Sequence, residues 1–197
     1  MCIATTKSGL DLDLIRPEAE HIELEDIAHG LAQKCRFNGQ TRVFYSVAEH
    51  SVRVAAFLLR RYNNPALAID GLMHDAQEAY FPDVHTDLKQ YMSGYKLLEE
   101  RMLQAIFEKF SLPYPINKLY KEADRILLAT EGRDLMGWDL AHPKHAHLAK
   151  PLENVIEPWT MQEAKAAFLD TYYQLQDMRL ASGIIPSLIL KNQLCLK

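Results

Sequence analysis

Residues 44–89 read FYSVAEHSVRVAAFLLRRYNNPALAIDGLMHDAQEAYFPDVHTDLK. Two apolar-faced helices fit this stretch. The first runs from about Ser46 to Tyr62, with Val47, Val54, Phe57 and Leu58 at helical spacing. Asn64 is a good N-cap and Pro65 suits the first turn of the second helix. That helix is expected to continue to about Tyr80, where Phe81-Pro82 stops it. Into these apolar patterns the chain sets His50, the pair His74-Asp75, Glu78 and Asp83. A single histidine such as His50 on an apolar face is commonly a hydrogen-bonded core residue. His74-Asp75 is harder to explain that way. Asp75 near a helix C-terminus faces an unfavourable dipole, which a metal ion or a nearby Arg or Lys would offset. Glu78 lies four residues after His74 and three after Asp75, on the same side of a helix. Asp83 follows Pro82, where a loop can fold back over the helix end. These side chains can therefore converge on one pocket, walled by the helix that carries His50.

The helical pattern extends outward in both directions. Ile22, Ile27, Leu31 and Cys35 form the stripe of an earlier helix that breaks near Asn38-Gly39. Before it, residues 5–16 alternate Leu with Asp after a Ser-Gly turn signal, which reads as a short β-hairpin or edge strand. After Lys89, a segment capped by Thr86-Asp87 is broken at Ser93-Gly94. Its stripe is Leu98, Met102, Ile106 and Phe110. A turn at 112–117 leads into a helix from about Asn117 to Met136. Residues 137–158 hold three prolines and no strong period, and are expected to be irregular. Thr160 and Glu163 have the spacing of a capping box, opening a last helix with Met161, Ala164, Phe168, Tyr172 and Leu175 inward. The tail, 186–197, is mildly amphipathic and fits packing on the body or on another subunit. No repeat or long linker divides the chain. The expected fold is one all-α domain over residues 1–197 with a short N-terminal hairpin.

Composition narrows the function classes. With 197 residues and a 48% hydrophobic content, the chain can bury a sizeable core. Its net charge of −4 gives no global basic field, so no stable nucleic-acid partner is expected. Cys2, Cys35 and Cys195 are widely spaced and odd in number. They argue against a disulfide framework and a cysteine-rich zinc site, and fit a reducing cytoplasm. No apolar run approaches the ~20 residues that span a bilayer. The N-terminus lacks the charged-then-apolar signature of a signal peptide. The expectation is a cytoplasmic protein with no membrane partner.

A further oxygen ligand for the pocket is Asp124, beside Ala123, Leu127 and Leu128. A solvated helix charge next to Lys121, Glu122 and Arg125 is the competing reading. Two imidazoles and two carboxylates suit one divalent transition metal: Co, Mn, Zn, Ni or Fe. A coordination number above four leaves room for water and a substrate oxygen. Among the remaining candidates, His85 lies in the loop near the pocket and could touch substrate. His142, His145 and His147 are expected to form a solvated loop rather than a metal tract. Glu131 could support the ligands from behind. Arg133 could contact phosphate or make a salt bridge. His21 and His29 read as surface or structural residues.

With His50, His74-Asp75 and Asp124 in this order, the chain resembles the HD-domain metal-dependent phosphohydrolases, whose pattern is H…HD…D on an all-helical core. The segments SVAEHSVRVA (46–55) and HDAQEAYFPDVHTDLK (74–89) resemble those of the bacterial 5'-deoxynucleotidases. They also resemble small phage and prophage HD proteins, some of which hydrolyse deoxynucleoside triphosphates. The likeness covers about residues 35–135. It implies that His50, His74, Asp75 and Asp124 are metal ligands. Glu78 matches the carboxylate that positions or deprotonates the attacking water. Asp83 matches a second acid near the sugar or leaving oxygen. Arg36, in CRFNGQ, matches an arginine that holds phosphate, with a spacing to His50 one residue shorter than the pattern. Phe37 stands where those nucleotidases carry tryptophan, and Lys89 matches a lysine in the helix after the acidic loop. The activity implied is 5'-nucleotidase chemistry on deoxynucleoside monophosphates. The alternatives are triphosphate hydrolysis releasing tripolyphosphate, and an HD module that binds nucleotide without turnover. A helical interaction protein with structural histidines is the reading furthest from these. Relatives of this kind are often dimeric, which makes a homodimer the implied assembly.

Overall fold

The protein is described by a computed structural model covering residues 2–181. The tail at 186–197 lies outside the described residues. The molecule is all-α apart from one N-terminal hairpin. Strands β1 (Ile3–Thr5) and β2 (Asp11–Asp13) pair antiparallel, with Ala4 opposite Leu12. Gly9, at φ 85°, makes the turn between them. Only Leu12 of the two strands is buried. Ser8 anchors the turn by donating to the Asp26 carboxylate from its hydroxyl (2.6 Å) and its backbone N–H (2.9 Å).

The two central helices form where their caps place them. The Ser46 hydroxyl accepts from the Glu49 N–H (3.1 Å) and opens α2 (Val47–Tyr62). Asn63, left-handed at φ 48°, ends it. The Asn64 side chain accepts from the Leu67 N–H (3.1 Å) and opens α3 (Pro65–Met73). Val54, Ala55 and Leu58 of α2 share one core with Leu67, Ala68 and Leu72 of α3. The expected continuation of α3 to Tyr80 does not occur. The helix stops at Met73, His74 and Asp75 turn the chain, and a 3-10 turn follows at Ala76–Ala79. Residues three apart share a side of either helix type, so the spacing alone could not separate the two.

The earlier helix, α1 (Leu24–Gln33), is also shorter than expected. Cys35 leaves it to form a β-bridge with Ser46. After the short α4 (Thr86–Lys89), Gly94 at φ 81° starts α5 (Tyr95–Lys109), whose Met102 and Ile106 are buried. α6 (Tyr120–Leu135) packs on α2 and α3. Thr160 and Glu163 make the expected capping box before α7 (Met161–Ala181), bonding reciprocally at 2.8 and 3.2 Å. α7 packs on α1, α2 and α3 through Ala164, Phe168, Tyr172 and Leu175. Met161, expected inward, is 40% exposed because it stands on the first turn, before the helix reaches the core. No helix among the described residues is long and apolar enough to cross a membrane.

α1 crosses the 3-10 turn at Gly30, where an added Cβ would lie 2.8 Å from the Ala79 carbonyl oxygen. Backbone cannot yield there as a flexible side chain would. Gly30→Ala is expected to lower stability by about 1–3 kcal/mol. The check is a drop in the urea midpoint at unchanged slope.

Candidate metal centre and its pocket

Three elements bring the centre together. His50 stands on the first turn of α2, His74 at the end of α3, and Asp124 at the start of the second turn of α6. Their ligand atoms all lie within 4.8 Å of one another. Hydrogen bonds behind the rings fix which nitrogen faces the centre. His74 Nδ1 is 2.7 Å from the Gly71 carbonyl oxygen, which can only accept. His50 Nδ1 is 2.6 Å from Glu131 Oε1. Burial works against the charge on Glu131, but Arg36 and His50 outweigh it and keep the carboxyl below its ordinary range. Both Nδ1 atoms therefore donate, and both Nε2 atoms turn their remaining capacity toward the centre.

Those Nε2 atoms are buried without a hydrogen-bond partner. Each nevertheless lies close to a carboxylate oxygen: His50 Nε2 is 3.3 Å from Asp124 Oδ1, and His74 Nε2 is 3.0 Å from Asp75 Oδ2. A lone pair facing a carboxylate oxygen is repulsive unless positive charge lies between them. A divalent cation supplies that charge, and the Nδ1 bonds hold the rings as such a ligand needs. His50, His74 and Asp124 thus form a buried group that can hold a metal ion.

In the metal-free protein, protons take that role. Burial disfavours the charged His74 ring, yet Asp75 and Asp124 outweigh it and push its pKa up to about 9. Asp124 is likewise held well below the ordinary carboxylate range, since His50 and His74 overcome its burial. A cation bound at Nε2 must displace the His74 proton. Metal affinity is therefore expected to rise with pH until about 9 and to weaken on acidification. Calorimetric titration with Mn at several pH values checks this; a flat profile would remove His74 from the ligand set.

A cavity of about 600 Å³ opens over Asp75 and Asp124. Glu78, on the 3-10 turn, lines it and is 4% exposed. Burial, then the charges of Asp75 and Asp83, push its carboxyl up to about 9. The Lys34 ammonium fastens the turn by donating to the carbonyls of Glu78 and Phe81. Asp83 and the exposed His85 lie on the same wall. His85 also caps α4, accepting from the Asp87 N–H at 3.2 Å. Lys89 lines the cavity but is already paired with Glu99 at 2.8 Å.

Arg36 reaches the cavity because its strand-like segment bonds to the entry of α2, with the Arg36 N–H donating to the Tyr45 carbonyl at 2.9 Å. Its Nε and Nη2 donate to Glu131 Oε2 at 3.2 and 3.0 Å. Phe37 and Asn38 follow in left-handed backbone at φ 53° and 50°, which is strained for side-chain-bearing residues. Phe37 also lines the cavity.

Glu131 joins the two halves. Besides Arg36 and His50, it accepts from the Tyr45 hydroxyl at 3.0 Å, and it is fully buried. Glu131→Ala would leave a buried guanidinium and a buried imidazole unpaired. The expected loss of stability is about 3–5 kcal/mol, read by chemical denaturation. Arg133, by contrast, bonds Asp134 at 2.6 Å and the carbonyls of Leu152 and Asn154, which makes it a structural ion pair.

His142, His145 and His147 stand on a largely exposed loop, as expected, and His145 and His147 also line the cavity together with Lys144 and Trp138. The Trp138 N–H donates to the Gly132 carbonyl at 2.8 Å, which folds the chain back after α6. Gly137 at φ 67°, a glycine just past the helix end, was the available sequence signal for that return.

No protein-family model matches the chain. Uncharacterized protein YfdR of Escherichia coli is 38% identical over 135 residues, covering 68% of this chain and 73% of that protein. Uncharacterized protein RCAP_rcc00048 of Rhodobacter capsulatus is 39% identical over 145 residues, again 68% of this chain and 73% of the relative. At that identity and coverage, the chain belongs to the family represented by YfdR and RCAP_rcc00048.

Proposed function

We propose that the protein is a divalent-metal-dependent phosphohydrolase of the HD-domain kind, acting as a 5'-nucleotidase on deoxynucleoside monophosphates. The observation that carries this reading is the pair of buried, unpartnered Nε2 atoms set against Asp75 and Asp124 at the floor of an open cavity. His50, His74, Asp75 and Asp124 would hold one metal of the Co, Mn, Zn, Ni or Fe class. When bound, such an ion lowers the pKa of water and polarises a phosphoryl oxygen.

The chain's own residues do the rest. Arg36 keeps its guanidinium charged beside Glu131 and lines the cavity, where it would meet phosphate oxygens. Glu78 takes the proton from the attacking water. Its high proton affinity reflects burial and the neighbouring carboxylates. Offsetting the charge on Asp75 lowers that affinity, in the direction a general base needs. The water oxygen bonds to phosphorus and the phosphorus–O5' bond breaks. Asp83 faces the same cavity and can orient or protonate the leaving oxygen. The products are nucleoside and orthophosphate.

A second reading, triphosphate hydrolysis releasing tripolyphosphate, is favoured by two further cations that line the cavity, Lys144 and the Glu99-paired Lys89. A product assay separates the two. Metal-loaded protein is incubated with ribo- and deoxynucleoside mono- and triphosphates, and the products are resolved by chromatography. Orthophosphate from monophosphates supports the first reading. Tripolyphosphate from triphosphates supports the second. No turnover with any of the five metals would reject both in favour of a binding module.

A further inference from the structure

We propose that Trp138 and His145 form a stacking platform for a nucleobase, so that the pocket selects base-bearing phosphate esters over base-free sugar phosphates; this rests on the phosphohydrolase reading above. The two rings are nearly parallel, at 17° with centroids 4.8 Å apart. Both border the cavity that opens over Asp75 and Asp124. Neither belongs to the hydrophobic core, so packing of the bundle does not account for the pair.

The indole is held firmly. Its main-chain N–H bonds the Gly132 carbonyl, and its six-membered ring packs on Gly132, where an added Cβ would collide with it. Phe37 meets it edge-on, with centroids 5.8 Å apart at 89°. His145 then covers the indole from the 3-10 turn Pro143–His145 and stays half-exposed. A parallel pair of this kind is extended by one more flat heteroaromatic ring laid on the imidazole. Stacking of this type tolerates any base, because every base has a π-face. Phe37 directly follows Arg36, so the aromatic cluster adjoins the phosphate-facing guanidinium. A nucleotide carries those two features, a flat base and an anionic phosphate, joined by a sugar. The competing account makes the loop an anion clamp through Lys144 and His147, which border the same cavity.

The protein has two tryptophans, so Trp159→Phe leaves Trp138 as the sole indole reporter. Full-length, metal-loaded protein carrying that change is titrated with deoxyadenosine 5'-phosphonate and with deoxyribose 5-phosphonate, neither of which can be hydrolysed. The expected result is quenching of Trp138 emission by the first, with about tenfold tighter binding than the second. Adding His145→Ala should erase that difference, and His145→Phe should restore it. Equal affinities in the parent would overturn the platform. So would an equal weakening of both ligands by His145→Ala, which would mark His145 as a contact to the shared phosphonate, or a prop for the Lys144–His147 clamp, and not as a base platform. The two readings fail separately. If the protein is no phosphohydrolase, the base-dependent quenching persists without turnover of any ester. If the platform is wrong, turnover persists with equal kcat/KM for base-bearing and base-free monophosphates.

Discussion

Asp124→Ala protein, isolated with Mn present, is expected to retain no stoichiometric metal and to lose at least about 10³-fold in nucleotide hydrolysis. The size follows from removing a ligand oxygen next to His50 Nε2, at 3.3 Å, in a centre built from few donors. The loss is separable from unfolding. The Asp124 side chain is 38% exposed at the cavity floor, so its removal opens little of the core. Circular dichroism should be unchanged while metal content falls. Asp75→Ala should behave alike, since Asp75 Oδ2 sits 3.0 Å from the other Nε2. Either variant keeping full metal and full rate would show that the ligand set is misassigned.

Glu78→Gln is expected to do the opposite with respect to metal. Metal content stays at the wild-type level, while kcat falls by about 10²–10⁴-fold. Glu78 stands outside the group His50, His74 and Asp124, but it faces the same cavity. The amide keeps the shape of the side chain and cannot take a proton. Stability provides an independent check. In the metal-free protein the Glu78 pKa is raised from 4.5 to about 9, so the folded state holds this proton more tightly than the unfolded chain. The stability linked to that proton is complete below pH 4.5 and is lost as pH rises through about 9. The metal-free Gln variant should therefore outlast the wild type at alkaline pH. Undiminished kcat would reject the proposed role of Glu78 as base.

Much of this was legible along the chain, because the signals were local. Ser46 and Asn64 announce helix starts through a hydroxyl and an amide that reach only three residues ahead. The Thr160–Glu163 box is equally short-ranged. The end of α3 was not legible, since Met73, Ala76 and Ala79 recur at a spacing that an α-helix and a 3-10 turn both satisfy. In the site, His50, His74-Asp75 and Asp124 stood out because carboxylates and imidazoles are conspicuous within apolar patterns. Glu131 was legible as a support behind the ligands, but its partners His50 and Arg36 were not, because they lie 81 and 95 residues away. Trp138 and His145 were hidden for another reason. Their loop has no period to read, and only the chain reversal over Gly132 carries it to the cavity.

The Gly30 crossing and the Lys34 clamp also have a consequence for motion. The turn carrying Glu78 is gripped by α1 through backbone contact at Ala79 and through the Lys34 ammonium on the Glu78 and Phe81 carbonyls. α1 in turn packs on α7, the longest helix among the described residues. The Glu78 segment is thereby tied to the body of the bundle. Its amides, including the Glu78 N–H bonded to the Asp75 carbonyl at 2.9 Å, are expected to exchange with solvent chiefly through openings that lift α1, which amide hydrogen exchange would read.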